Sequence, residues 1–147
     1  MPRVERSAVI GVAPEVAFDY VADASTALRW MHGFTRFDPA DPSMRGVGAR
    51  VNASGTVFGF PVATTLEITE FERPRRLGSR TTGRLKSTSV WEFAPADGGT
   101  LVTFRGEYDV PGGLLRMIGG SMVERELEKN AEMSLSNLKR ELEAGRA

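Results

Sequence analysis

PGGLLRMIGGSMVERELEKNAEMSLSNLKRELE, residues 111–143, is the stretch whose reading decides the fold. Apolar residues recur in it at Leu127, Ala131, Leu135, Leu138 and Leu142. Steps of three and four place them on one face of a helix. The other face carries Glu124, Arg125, Glu128, Lys129, Glu132, Lys139 and Glu143. Arg125 with Glu128, and Lys129 with Glu132, are opposite charges three apart, which offsets the mild repulsion between Glu124 and Glu128. The spacing predicts one helix of about 30 residues, roughly 45 Å long at 1.5 Å per residue. Its entrance is interrupted by Gly112-Gly113 and Gly119-Gly120. An apolar stripe of that length needs a broad cover.

The residues just before it supply one. Val102, Phe104, Tyr108 and Val110 share one parity, with Gly106 between them, while Thr103, Arg105, Glu107 and Asp109 share the other. Such alternation marks a strand with one dry and one wet face. Upstream lie further strands: Ala49 to about Phe58, then Val62 to Glu70, a weaker one from Leu77 to Thr82, and Leu85 to Phe93. Gly59-Phe60-Pro61 and Asp97-Gly98-Gly99 read as turns, and Glu72-Arg73-Pro74-Arg75-Arg76 as a charged connection. A short strand covers Phe34 to Phe37. At the start, Val4 to Val12 is a strand with Ala8 and Ile10 inward. Pro14 opens a short helix to about Ala22, and Asp23 or Ser25 caps a second, Thr26 to Met31. Two short helices, a run of antiparallel strands and one long helix make an α+β arrangement. A twisted sheet and a straight rod do not match everywhere, so a gap is expected between them.

The totals fit this reading. At 147 residues, 41% hydrophobic and 26% charged, the chain suits one globular domain, residues 1–147. Nineteen basic residues balance nineteen acidic ones, which argues against nucleic acid as a partner. Without cysteine there is no disulfide and no thiolate chemistry. No leader-like apolar run opens the chain, and no apolar stretch approaches the length of a membrane span. The expectation is a cytoplasmic protein with no integral membrane segment, acting as a monomer or homodimer.

Several short marks, taken in order, resemble one superfamily: Ile10-Gly11-Val12-Ala13-Pro14-Glu15-Val16-Ala17-Phe18, Asp23 followed by Trp30, Glu72 to Leu77, Trp91-Glu92-Phe93, Gly99 to Phe104, and Asn137 to Glu143. The chain resembles the START-like superfamily, also called SRPBCC, and within it the polyketide cyclase/dehydratase and lipid-transport branch. The resemblance implies the helix-grip fold and a hydrophobic cavity between sheet and long helix. It leaves function open, because the superfamily hosts carriers, enzymes and regulators.

Strand parity nominates the cavity lining. Thr64, Leu66, Ser89, Trp91, Phe93, Phe104 and Tyr108 come from the strands, Phe18 and Trp30 from the short helices, and Met117, Ile118 and Met122 from the start of the long helix. Each aromatic also fits a plain core role. Ser89 and Thr64 say more, since a hydroxyl on a dry face needs a partner. The segment 111–122 reads either as a loose helix start or as a flexible mouth. The one histidine, His32, is a candidate general base at a cavity entrance, or simply a surface or capping residue. No metal site is expected from a lone histidine without a carboxylate cluster, and no cofactor is implied. Gly46-Val47-Gly48 lacks the third glycine and the following helix of a dinucleotide site. Arg73, Arg75 and Arg76 suit a solvated connection.

The expected function is binding or transport of a hydrophobic or amphipathic small molecule, oriented by a few hydroxyls and by Tyr108 or Arg116. A polyketide cyclase or dehydratase is the first alternative. It needs an acid–base pair, for which the sequence offers Tyr108, His32 and Glu70. A protein-interaction or regulatory subunit is the second.

Overall fold

The computed structural model describes residues 2–83 and 86–145. In chain order it has β1 (Arg3–Ile10), α1 (Pro14–Ala22), a single 3-10 turn (Ala24–Thr26), α2 (Ala27–Trp30), β2 (Phe34–Pro39), β3 (Arg50–Val57), β4 (Phe60–Glu72), β5 (Arg76–Gly83), β6 (Lys86–Ala96), β7 (Gly99–Asp109), α3 (Gly112–Ile118) and α4 (Gly120–Glu143). Leu85, expected to open the sixth strand, lies outside the described residues. The strands form one antiparallel sheet in the order β1-β7-β6-β5-β4-β3-β2. The sheet curves around the C-terminal helix, with the two short helices following β1. This is the helix-grip fold.

Local chemistry explains the boundaries. Pro14 starts α1 where a missing N–H costs nothing. The Asp23 carboxylate accepts from the Ser25 N–H at 3.0 Å and opens the following turn. Between β3 and β4 the two-residue turn is Phe58-Gly59, with φ of 52° and 80°, the left-handed pair that suits a tight hairpin. The sequence-predicted turn at Gly59-Phe60-Pro61 is therefore displaced, because Phe60 already pairs with Val57.

The C-terminal stretch is two helices rather than one. Gly119 has φ 97°, a conformation that ends a right-handed helix and that glycine adopts without strain. α3 keeps seven residues and α4 twenty-four, so the long rod measures about 36 Å. Its buried stripe is the expected one, joined by Val123 and Ser134. Leu138 and Leu142 pack fully buried with Ile10, Phe18 and Val102.

α4 lies along β1 and is tied to it by charge. Arg6, inward on β1, pairs with Glu128 and, at 3.0 Å, with Glu132. These glutamates, expected to pair along the helix, thus reach across to the sheet. On the outer face Glu5, Arg105, Glu92, Arg76 and Glu70 form a continuous chain of ion pairs. Glu70 belongs to that face because a register shift between Ile68 and Glu70 reverses the parity of β4. It is not an inward acid, contrary to the alternation read from sequence.

Candidate functional site: the space between the sheet and α4

Because α4 follows β1, the strands farther along the sheet curve away from it. The two ends of the helix therefore meet different surroundings. Leu135, Leu138 and Leu142 pack into the core, whereas Leu127, Asn130, Ala131 and Ser134 border a cavity of about 660 Å³. Its opposite wall is the inner face of β4 to β7: Leu66, Ile68, Phe71, Leu77, Trp91 and Phe104, with the hydroxyl residues Thr64, Ser79, Thr81, Ser87, Ser89 and Tyr108. Trp30, Met31 and His32 close one side, and residues of the segment 39–51 another.

The aromatic wall is interlocked. Trp30 meets Trp91 edge to face at 5.3 Å between ring centres, and Trp91 lies 4.7 Å from Phe104. Such contacts hold ring orientations fixed. The Trp30 indole N–H donates to the Thr26 hydroxyl at 3.3 Å. α4 secures the same segment: Asn137 Nδ2 donates to the Trp30 carbonyl at 3.1 Å, and the His32 N–H donates to Ser134 Oγ at 2.9 Å. His32 is thus fixed through its backbone, with its residue at the cavity border.

Tyr108 takes a specific place. A Cβ on Gly106 would lie 2.9 Å from the Tyr108 ring and 3.0 Å from its hydroxyl. The ring therefore folds back over the bare backbone of Gly106. Burial pushes the phenol pKa up to about 12, so the group is a neutral donor and acceptor at ordinary pH.

Of the residues nominated from sequence, Trp30, Thr64, Leu66, Ser89, Trp91, Phe104, Tyr108 and His32 come together around the cavity. Phe18 and Phe93 do not. They pack edge to face on each other at 5.4 Å, behind the wall. Met117, Ile118 and Met122 do not border it either: the break at Gly119 turns α3 aside, and Met117 is left 70% exposed. Sequence reasoning missed Phe71, which the β4 register shift brings inward to meet Phe18 at 5.1 Å. It also missed Ser79, Thr81 and Ser87, although Ser87 has the parity of Ser89. Among the described residues no group of three or more His, Asp or Glu is arranged to hold a metal ion. None of their helices is long and apolar enough to cross a membrane.

The family model described as "Polyketide cyclase / dehydrase and lipid transport" matches residues 1–143. The chain belongs to this family. No significant match exists among curated protein sequences. Among solved structures, TTHA0849 from Thermus thermophilus superposes with a TM-score of 0.84 at 21% identity, over 99% of this chain and 100% of that one. The di-domain ARO/CYC StfQ of the steffimycin biosynthetic pathway gives 0.77 at 16% identity, over 97% of this chain and 51% of StfQ. Ara h 8.0201 gives 0.71 at 11% identity, over 97% and 98%. At these identities the likeness shows a shared fold alone.

Proposed function

We propose that this protein binds a hydrophobic or amphipathic small molecule between the sheet and the first half of α4. One observation carries the reading: α4 stands away from β4–β7 there, leaving about 660 Å³ walled mainly by apolar side chains. That volume lies within the range of small-molecule sites. The family description, which names both polyketide chemistry and lipid transport, supports the same class of guest. Affinity would come from apolar burial, at about 25 cal/mol per Å² removed from water. Native mass spectrometry of protein purified from its own host should show a retained small molecule. A panel of lipids and aromatic polyketides should raise the melting temperature. Empty protein in repeated preparations, with no shift from any panel member, refutes the proposal.

A cyclase or dehydratase is the second reading, favoured by the titratable groups His32 and Tyr108 at the same cavity. A phenol held protonated to about pH 12 serves as a hydrogen-bond donor to a carbonyl, not as a resting base. His32 would then have to take the proton. With a poly-β-keto substrate, Tyr108→Phe and His32→Ala should each slow turnover; unchanged rates in both remove this reading. The middle of the outer sheet face is laced with ion pairs, which does not favour the interaction-module alternative there.

A further inference from the structure

The cavity wall changes character along the strands. Residues opposite one another on β5, β6 and β7 form rows, and successive rows on one face lie about 7 Å apart. Leu77, Trp91 and Phe104 make an apolar row. The next is Ser79, Ser89 and Gly106, and the next Thr81, Ser87 and Tyr108. Ser79 and Ser89 hydroxyls lie 2.8 Å apart. A bond between two hydroxyls uses one of their two hydrogens, so this pair retains a donor and spare lone pairs for a guest. Tyr108, folded over Gly106, brings its hydroxyl above the same row.

Among the described residues, none of those on β4–β7 or α4 that border the cavity is Asp, Glu, Lys or Arg. Apart from Tyr108, the charged or titratable residues at its border, Asp19, Asp23, His32, Arg45 and Arg50, come from the helical end and the β2–β3 side.

We propose that the hydroxyl rows receive a neutral oxygen-bearing group, an alcohol or a ketone, of an amphiphile whose hydrocarbon lies against Trp30, Trp91 and Phe104, and that a carboxylate is rejected. This rests on the ligand-binding reading above. Neutral hydroxyls can both give and take a hydrogen bond from an alcohol, and give one to a ketone. A carboxylate there would lose its hydration with no cation among the described residues of that wall to replace it. It would enter only by taking up a proton. Tyr108, a neutral phenol over this pH range, adds a donor without adding charge.

Titration calorimetry with dodecan-1-ol, dodecan-2-one and dodecanoate at pH 8 tests this, with the neutral dye Nile red as a control for cavity binding. The alcohol and ketone should bind at least about tenfold more tightly than the carboxylate. Lowering the pH toward 5 should tighten the acid, in His32→Ala as in the parent protein, and leave the alcohol unchanged. Ser79→Ala with Ser89→Ala removes both halves of one hydroxyl pair, and Tyr108→Phe removes the phenol alone. Each should narrow the gap between alcohol and acid. Equal or tighter binding of dodecanoate at pH 8, or an unchanged gap in both variants, overturns this inference and leaves the broader reading standing. Failure of Nile red and all three probes to bind overturns both.

Discussion

Two leucines on one helix give the sharpest test of the space beneath it. Leu138 is fully buried in the packed half of α4. Leu127 is 8% exposed and borders the cavity. Truncation to Ala removes the same atoms at both sites, so the transfer contribution is similar. The surroundings left behind differ. Leu138 is enclosed on every side, and the hole that truncation opens adds its own cost, for a loss of about 4–5 kcal/mol. Leu127 already has empty space on one side, where a side chain has no partner atoms to lose. Its truncation should cost about 2–3 kcal/mol. The difference of about 2 kcal/mol corresponds to a gap in melting temperature of roughly 6–8 °C for a chain of this size. Urea denaturation and thermal melts of Leu127→Ala and Leu138→Ala measure it directly. Ligand affinity should change for Leu127→Ala and not for Leu138→Ala. If Leu127→Ala proves as costly as Leu138→Ala, that part of the helix is solidly packed and leaves no room for a guest.

Three further outcomes are expected. Gly55→Ala should cost more than about 3 kcal/mol or prevent folding, because its Cβ would lie 2.1 Å from the Gly33 carbonyl oxygen, a backbone atom already bonded to the Thr56 N–H; Gly106→Ala meets the Tyr108 and Phe104 side chains rather than backbone and should cost less, about 2 kcal/mol by urea denaturation. Ser134→Ala should cost about 1–2 kcal/mol, since it strands the part-buried His32 N–H, and amide exchange at His32 should accelerate. The hydrogen bond from Arg73 lowers the Asp19 pKa, and those from Lys139 and the Gly11 N–H lower that of Glu143. Depressed folded-state values stabilise the protein above the unfolded carboxylate range, and that contribution is lost as pH falls through the folded values. Stability should therefore drop below about pH 4, and Asp19→Asn with Glu143→Gln should flatten that acid limb while lowering stability at neutral pH.

Much of the architecture was legible because it follows from short-range periodicity. The stripe from Leu127 to Leu142 specifies a helix face, and the alternation from Val102 to Val110 specifies a strand with one dry side. Those patterns, with the turn signals between strands, pointed to strands followed by a long helix, while the resemblance that named the fold rested on short marks from Ile10 to Glu143 taken in order. The lining at Trp91, Phe104, Tyr108 and Ser89 was readable for the same reason: parity alone decides which side of a strand a residue takes.

What parity could not show was decided by tertiary structure. A register shift in β4 is an irregularity of pairing between strands, and it moved Phe71 inward and Glu70 outward. The left-handed Gly119 cut the terminal helix and carried Met117 away from the cavity. Phe93 shares the inward parity of Trp91 on β6, and Phe18 sits on the buried face of α1, yet depth behind the wall is a property of how layers stack, not of the pattern along one chain. The same holds for the cavity. The sequence supplies a rod and a sheet; only their curvature, fixed by packing of α4 on β1, determines where the two part company and leave room.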